Sequence, residues 1–120
     1  MGKNKQSRSS QEGVYRVKSK TGGEKETKRA RFDLIPVDSL WEMAEHYGKG
    51  AEKYNPRNWE AGYDWSLSYA ALQRHAHQFW GGEMVDEEGF NHLAAVMFHA
   101  AALLHFSKHE KYSDYDNRPA

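Results

Sequence analysis

The residues of this chain with the most chemical capacity sit in two blocks. The first is Lys53-Tyr54-Asn55-Pro56-Arg57-Asn58-Trp59, and the second is Gln73-Arg74-His75 followed by Glu83 and Asp86. Packing alone would fill such positions with Leu, Ile or Ala, so charges, amides and rings at this density point to a site. Lys53 and Arg57 offer cations, Asn58 an amide, and Tyr54 and Trp59 ring faces, all within one helix end and the loop after it. A planar nucleobase takes stacking and edge hydrogen bonds, and a polyphosphate takes Lys and Arg. Loop aromatics are equally suited to plugging the end of a helical bundle.

Arg74 and His75 stand in rows that begin with core-like residues, Leu67 and Ala71 for Arg74, Ser68 and Leu72 for His75. An inward guanidinium must meet an anion, either a structural carboxylate or the oxygens of a phosphate. An adjacent His suits proton transfer. Glu83 follows the helix end and comes beside both if the turn is tight, which makes it the better single candidate among the acids for holding a metal. Glu42/Glu45 and Glu83/Asp86 are acids three residues apart, a spacing that suits hard Mg²⁺ or Mn²⁺. Glu42, Glu45, Lys49 and Glu52 also read as an ordinary solvated helix face, with Glu45 and Lys49 an i, i+4 pair. His92 and His99, seven residues apart, share one face of a later helix, whereas His105 and His109 read as structural or solvated.

Three helices must position these groups. Ser39 with Glu42 reads as a capping box opening the first, whose apolar positions Leu40, Met43, Ala44, Tyr47, Ala51 and Tyr54 follow the helical period. Ser66 caps a second, roughly Leu67–Trp80, ended by Gly81-Gly82. The third runs from about Phe90 to His109. Between Leu93 and Phe106 twelve of fourteen residues are apolar, so this helix is the central one and a second subunit is expected to complete its cover. The sequence shows no strand pattern, and the fold class is all-α, a small three-helix bundle completed by oligomerisation.

The formal charge of zero hides an asymmetry. Residues 1–31 carry ten Lys/Arg against three Glu, +7, and the rest carries seven Lys/Arg against fourteen Asp/Glu, −7. Residues 1–30 have few apolar anchors and read as a disordered basic tail, 31–110 as the folded domain, and 111–120 as a flexible C-terminus. With no cysteine, disulfides and thiolate metal sites are excluded. No signal-peptide core and no run of spanning length appear, so a soluble cytoplasmic protein without membrane contact is expected.

Taken in order, four stretches resemble a phage-encoded domain family, dATP/dGTP diphosphohydrolase, N-terminal. They are Arg31-Phe32-Asp33-Leu34-Ile35-Pro36; Gly50-Ala51-Glu52-Lys53-Tyr54 with Asn58-Trp59; Ala71-Leu72-Gln73-Arg74-His75 with Trp80-Gly81-Gly82-Glu83; and His92-Leu93-Ala94-Ala95. The resemblance covers about Arg31 to Phe106, and the family is similar in function to the MazG-like nucleoside triphosphate pyrophosphohydrolases. It implies cleavage of a deoxypurine triphosphate to the monophosphate and pyrophosphate with Mg²⁺ or Mn²⁺. It nominates Glu52, Lys53, Tyr54, Asn58, Trp59, Arg74, His75, Glu83 and His92. Asn91 and Phe98-His99 depart from the acid and the Trp-Asn that many relatives carry there, and the MazG-like acid pairs map only loosely. The assignment is thus Arg74, His75 and Glu83 for catalysis; Lys53, Tyr54, Arg57, Asn58 and Trp59 for substrate; and Glu42, Glu45, Glu52, Glu83, Asp86 and His92 for metal. A di-iron bundle is excluded by the lack of Glu-x-x-His pairs. The rival is a non-enzymatic phage accessory protein, binding nucleic acid through its basic tail with the bundle as a dimerisation core.

Overall fold

The computed structural model describes residues 14–120. They divide after Pro36 into two compact units. In the first, β1 (Val14–Lys18) and β2 (Glu24–Lys28) pair antiparallel, Tyr15 against Thr27 and Val17 against Lys25. Gly22 closes the turn with φ of 95°, which costs little only without a Cβ. Arg16 Nη1 donates to Glu24 Oε1 at 2.7 Å. This hairpin corrects the expected disordered tail over residues 14–30 and the expected absence of strands. Tyr15-Arg16-Val17-Lys18 alternates with period two, and cross-strand glutamates offset cations that composition alone counts as a repelling run. Residues 1–13 lie outside the described residues.

The second unit is a helical bundle, as expected, of α1 (Val37–Lys53), α2 (Trp65–Trp80) and α3 (His92–Lys108). Ser68 meets His99 and His75 meets His92, seven residues on along α2 and seven back along α3, so these two helices run antiparallel. Small residues make that approach possible: Ala94, Ala95 and Ala102 are at most 2% exposed. α3 begins where Asn91 Oδ1 accepts from Leu93 N at 2.8 Å.

Two caps differ from expectation. α1 starts at Val37, so Ser39 lies inside it, and Ser39 N donates to Asp38 Oδ1. Ser66 is likewise inside α2. Its N–H donates to Asn117 Oδ1 at 3.0 Å, and Asn117 Nδ2 donates to Ser66 Oγ at 2.8 Å, so the chain's last residues supply the cap.

That cap belongs to a second correction, of the flexible C-terminus. A 3₁₀ helix over Glu110–Tyr115 returns the chain to the core. Tyr112, 2% exposed, joins Trp65, Ala102 and Phe106 there, and its hydroxyl donates to the Glu60 carbonyl at 2.7 Å. Trp59 and Tyr63, from the loop between α1 and α2, pack against the same cluster. Among the described residues no helix is long and apolar enough to cross a membrane.

Candidate functional site

The α2–α3 connection is a built loop. Val85 and Asn91 form a bridge, Asp86 N donates to Phe90 O at 2.8 Å, and His92 N donates to Met84 O at 3.1 Å. Asp86 Oδ1 accepts from Glu88 N at 2.9 Å and from Phe90 N at 3.0 Å. Burial alone would raise the Asp86 carboxyl, but these two amides, helped by Lys49, hold it below the usual carboxylate range. The loop thus presents an ionised Asp86 from a braced backbone.

Two cavities open along α1, and this loop lines the second of them. One, of about 370 Å³, is largely apolar and is lined by Tyr47, Tyr54, Trp59, Tyr63 and Phe98 together with Lys53, Arg57 and Asn58. The other, of about 470 Å³, is polar and is lined by Arg74, His75, Glu83, Asp86, Glu88 and His92 among others. His46, Lys49 and Lys53 line both and form the wall between them.

A directed hydrogen-bond chain runs through the polar cavity. His75 Nδ1 and His92 Nδ1 are 2.8 Å apart, Arg74 Nη2 is 3.5 Å from His75 Nε2, and His92 Nε2 is 3.5 Å from Glu83 Oε1. Arg can only donate and an ionised Glu can only accept. Read from Arg74, the donors run one way: His75 accepts on Nε2 and donates from Nδ1, and His92 accepts on Nδ1, which leaves its proton on Nε2, a buried atom without a hydrogen-bond partner that faces Glu83 at 3.5 Å. Burial first, then Arg74 and His92, lower the pKa of His75, in keeping with a neutral ring. A second thread runs from Tyr63 OH through Ser68 Oγ at 2.7 Å to His99 Nδ1 at 2.9 Å. Burial, reinforced by His75 and His46, holds His99 down to about 4, and its ring stacks on that of His75 at 6.3 Å.

The expected substrate residues Lys53, Tyr54, Arg57, Asn58 and Trp59 all line the apolar cavity. Arg57 is there at a cost: it is the one non-glycine with positive φ, 63°, among the described residues, held by Glu60 Oε2 at 2.7 Å. Trp59 is half-buried and edges against Tyr47, His105 and Phe106, so it serves both cavity and core. Arg74, His75, Glu83, Asp86 and His92 come together in the polar cavity. Arg74 is exposed, however, because the row Leu67–Arg74 faces outward; Leu67 is 61% exposed.

The expected metal set does not converge. Among the described residues no three His, Asp or Glu side chains stand close enough to hold an ion. Glu42, Glu45 and Glu52 are exposed on α1, and Glu45 Oε2 accepts from Trp41 Nε1 at 3.2 Å. Both nitrogens of His92 are engaged or shielded, which leaves it no open lone pair. Glu83 and Asp86 on the loop remain. That number fits Mg²⁺ or Mn²⁺ arriving on a polyphosphate, since such ions take one or two carboxylates and fill the rest with phosphate and water.

His46, Lys49 and Phe98 were missed. The expected Met43, Tyr47 and Ala51 do face inward on α1, but Leu40, 52% exposed, and Ala44 lie outside, and Ser39, His46 and Gly50 take the inner positions instead. Lys49 pairs with Asp86 and Glu88 rather than with Glu45. Reading the stripe through His46 instead of Ala44 would have placed both residues inside.

In comparison with known proteins, the family model described as dATP/dGTP diphosphohydrolase, N-terminal, matches residues 19–117. No curated protein and no solved structure matches.

Proposed function

The chain belongs to the dATP/dGTP diphosphohydrolase N-terminal family, and from that premise we propose that it cleaves dATP and dGTP to the monophosphate and pyrophosphate. The observation that carries this reading is the pair of adjoining cavities with one wall in common. A purine stacks among Tyr54, Trp59 and Phe98, and the triphosphate crosses Lys53 toward Arg74. Water attacks the α-phosphorus, a new P–O bond forms, the α–β bond breaks, and pyrophosphate leaves with the electron pair. Glu83, whose side chain is 56% exposed, takes the water's proton, and His92 holds its carboxylate in place from the buried side. Arg74 and Lys53 offset charge on the phosphoryl oxygens. Mg²⁺ or Mn²⁺ bound to the triphosphate, with Asp86 and Glu83 as the residues that would hold it, supplies further charge neutralisation.

Self-association belongs to the same proposal, supported by exposed Leu40, Trp41, Leu67, Trp80 and Leu104. Nucleic-acid binding through the basic segment has weaker support, since Arg16 and Lys18 stand opposite Glu26 and Glu24. The test incubates the full chain with each deoxynucleoside triphosphate and Mg²⁺ or Mn²⁺ and follows products by ³¹P NMR. Monophosphate and pyrophosphate from dATP and dGTP are expected. Diphosphate with orthophosphate, or no turnover, rejects the reaction.

A further inference from the structure

Lys49 has no part in the chemistry above, yet its surroundings are unusual for a lysine. Its side chain is only 24% exposed, and its ammonium lies 3.7 Å from Asp86 Oδ2 and 4.4 Å from the centroid of the Phe90 ring. It also makes a close ion pair with Glu88 Oε1. These partners are not equally held. Asp86 is anchored by two backbone amides and Phe90 is half-buried, whereas the Glu88 side chain is 60% exposed. A pair with one arm in water exchanges at little cost. Asp86 and the ring face keep the ammonium in place when Glu88 leaves. The position itself is the wall between the two cavities, where a chain of phosphates would pass.

We propose that Lys49 is an anion-receiving group whose resting counter-ion is Glu88, and that an arriving phosphate group displaces the Glu88 carboxylate and takes its place. This rests on reading the two cavities as one nucleotide site. The exchange is favourable because a polyphosphate brings several negative charges to the ammonium where the carboxylate brings one, while the released Glu88 regains full hydration.

Inorganic tripolyphosphate tests the proposal by calorimetry on the full chain in metal-free, low-salt buffer. Lys49→Met weakens binding about ten- to a hundred-fold, as for a lost charge-assisted hydrogen bond. Lys49→Arg keeps it within a few-fold. Glu88→Gln tightens it about two- to five-fold, the scale of a removed competing surface pair. The double variant behaves as Lys49→Met alone, because Glu88 competes only through Lys49. Wild-type affinity in Lys49→Met, weaker binding in Glu88→Gln, or no binding by the wild type overturns the proposal. If circular dichroism finds Lys49→Met unfolded, Glu88→Gln and Lys49→Arg decide it. Turnover of dATP and dGTP on the same proteins separates the two readings. Lys49-dependent binding without any turnover removes the enzymatic function and keeps the anion site; turnover with binding indifferent to Lys49 does the reverse.

Discussion

Replacing Glu83 by Gln separates charge from shape at the centre of the polar cavity. The side chain is 56% exposed, and its one close contact is His92 Nε2 at 3.5 Å, longer than a good hydrogen bond. Folding should therefore lose little, within about 0.5 kcal/mol, as at an ordinary surface position. The chemical step should lose far more. A positioned general base contributes about 10²- to 10⁴-fold, equivalent to roughly 3–5 kcal/mol of transition-state stabilisation. That difference between the two losses is the signature of Glu83 as a reacting group rather than a strut. The assay couples pyrophosphate release from dATP and dGTP to inorganic pyrophosphatase at saturating Mg²⁺ and Mn²⁺, beside urea denaturation of the same samples. Wild-type rates in Glu83→Gln would refute the site even with the family assignment intact. A stability loss above about 2 kcal/mol would show instead that the His92–Glu83 contact is structural.

Four further outcomes follow from the geometry. Burial and neighbouring charges hold His99 at about 4, and His46 and His75 also lie below the ordinary 6.5, so the unfolded chain binds their protons first. Their contribution to stability is whole above about 6.5 and is lost as pH falls toward 4; a urea midpoint unchanged between pH 7 and pH 4.5 contradicts this. Gly62 has φ of 92°, and a Cβ there would stand 2.9 Å from Tyr115 Cε2 and 3.0 Å from Tyr112 Cδ1, so Gly62→Ala should lower stability by about 1–3 kcal/mol in thermal unfolding. Asn117→Ala removes the cap of α2 and should cost about 1 kcal/mol, whereas a truly flexible C-terminus would make it neutral. Tyr54→Ala, at a 56% exposed ring, should raise KM several-fold with kcat and melting temperature nearly unchanged; Trp59→Ala is expected to lose about 3 kcal/mol of stability as well, because its ring packs on Phe106.

Much of the lining of the two cavities was legible because its residues are near neighbours along the chain. Lys53 to Trp59 span one helix end and one loop, and Arg74 to Asp86 one helix end and the next connection, so spacing alone brings each group together. The row Ser68, Leu72, His75, Phe79 faces inward as its helical period requires. The errors share a cause. Arg74 and Lys49 were placed by a helical wheel, and a wheel has no origin until something packs against it. A rotation of one position moved His46 and Lys49 inward and left Glu42, Glu45 and Glu52 in water.

By itself, then, the order of residues determined three helices, their loops and which short stretches concentrate charged and aromatic side chains, because helical period, turn residues and charge density are local properties. Only the tertiary structure decided which wall the two cavities share, that His75 and His92 meet through their Nδ1 atoms, and that Asn117 caps a helix 51 residues away. It also decided that Arg16 and Glu24 pair across a hairpin. Those contacts join groups far apart in the chain. Their geometry depends on how the helices and strands settle against one another, and no local pattern records it.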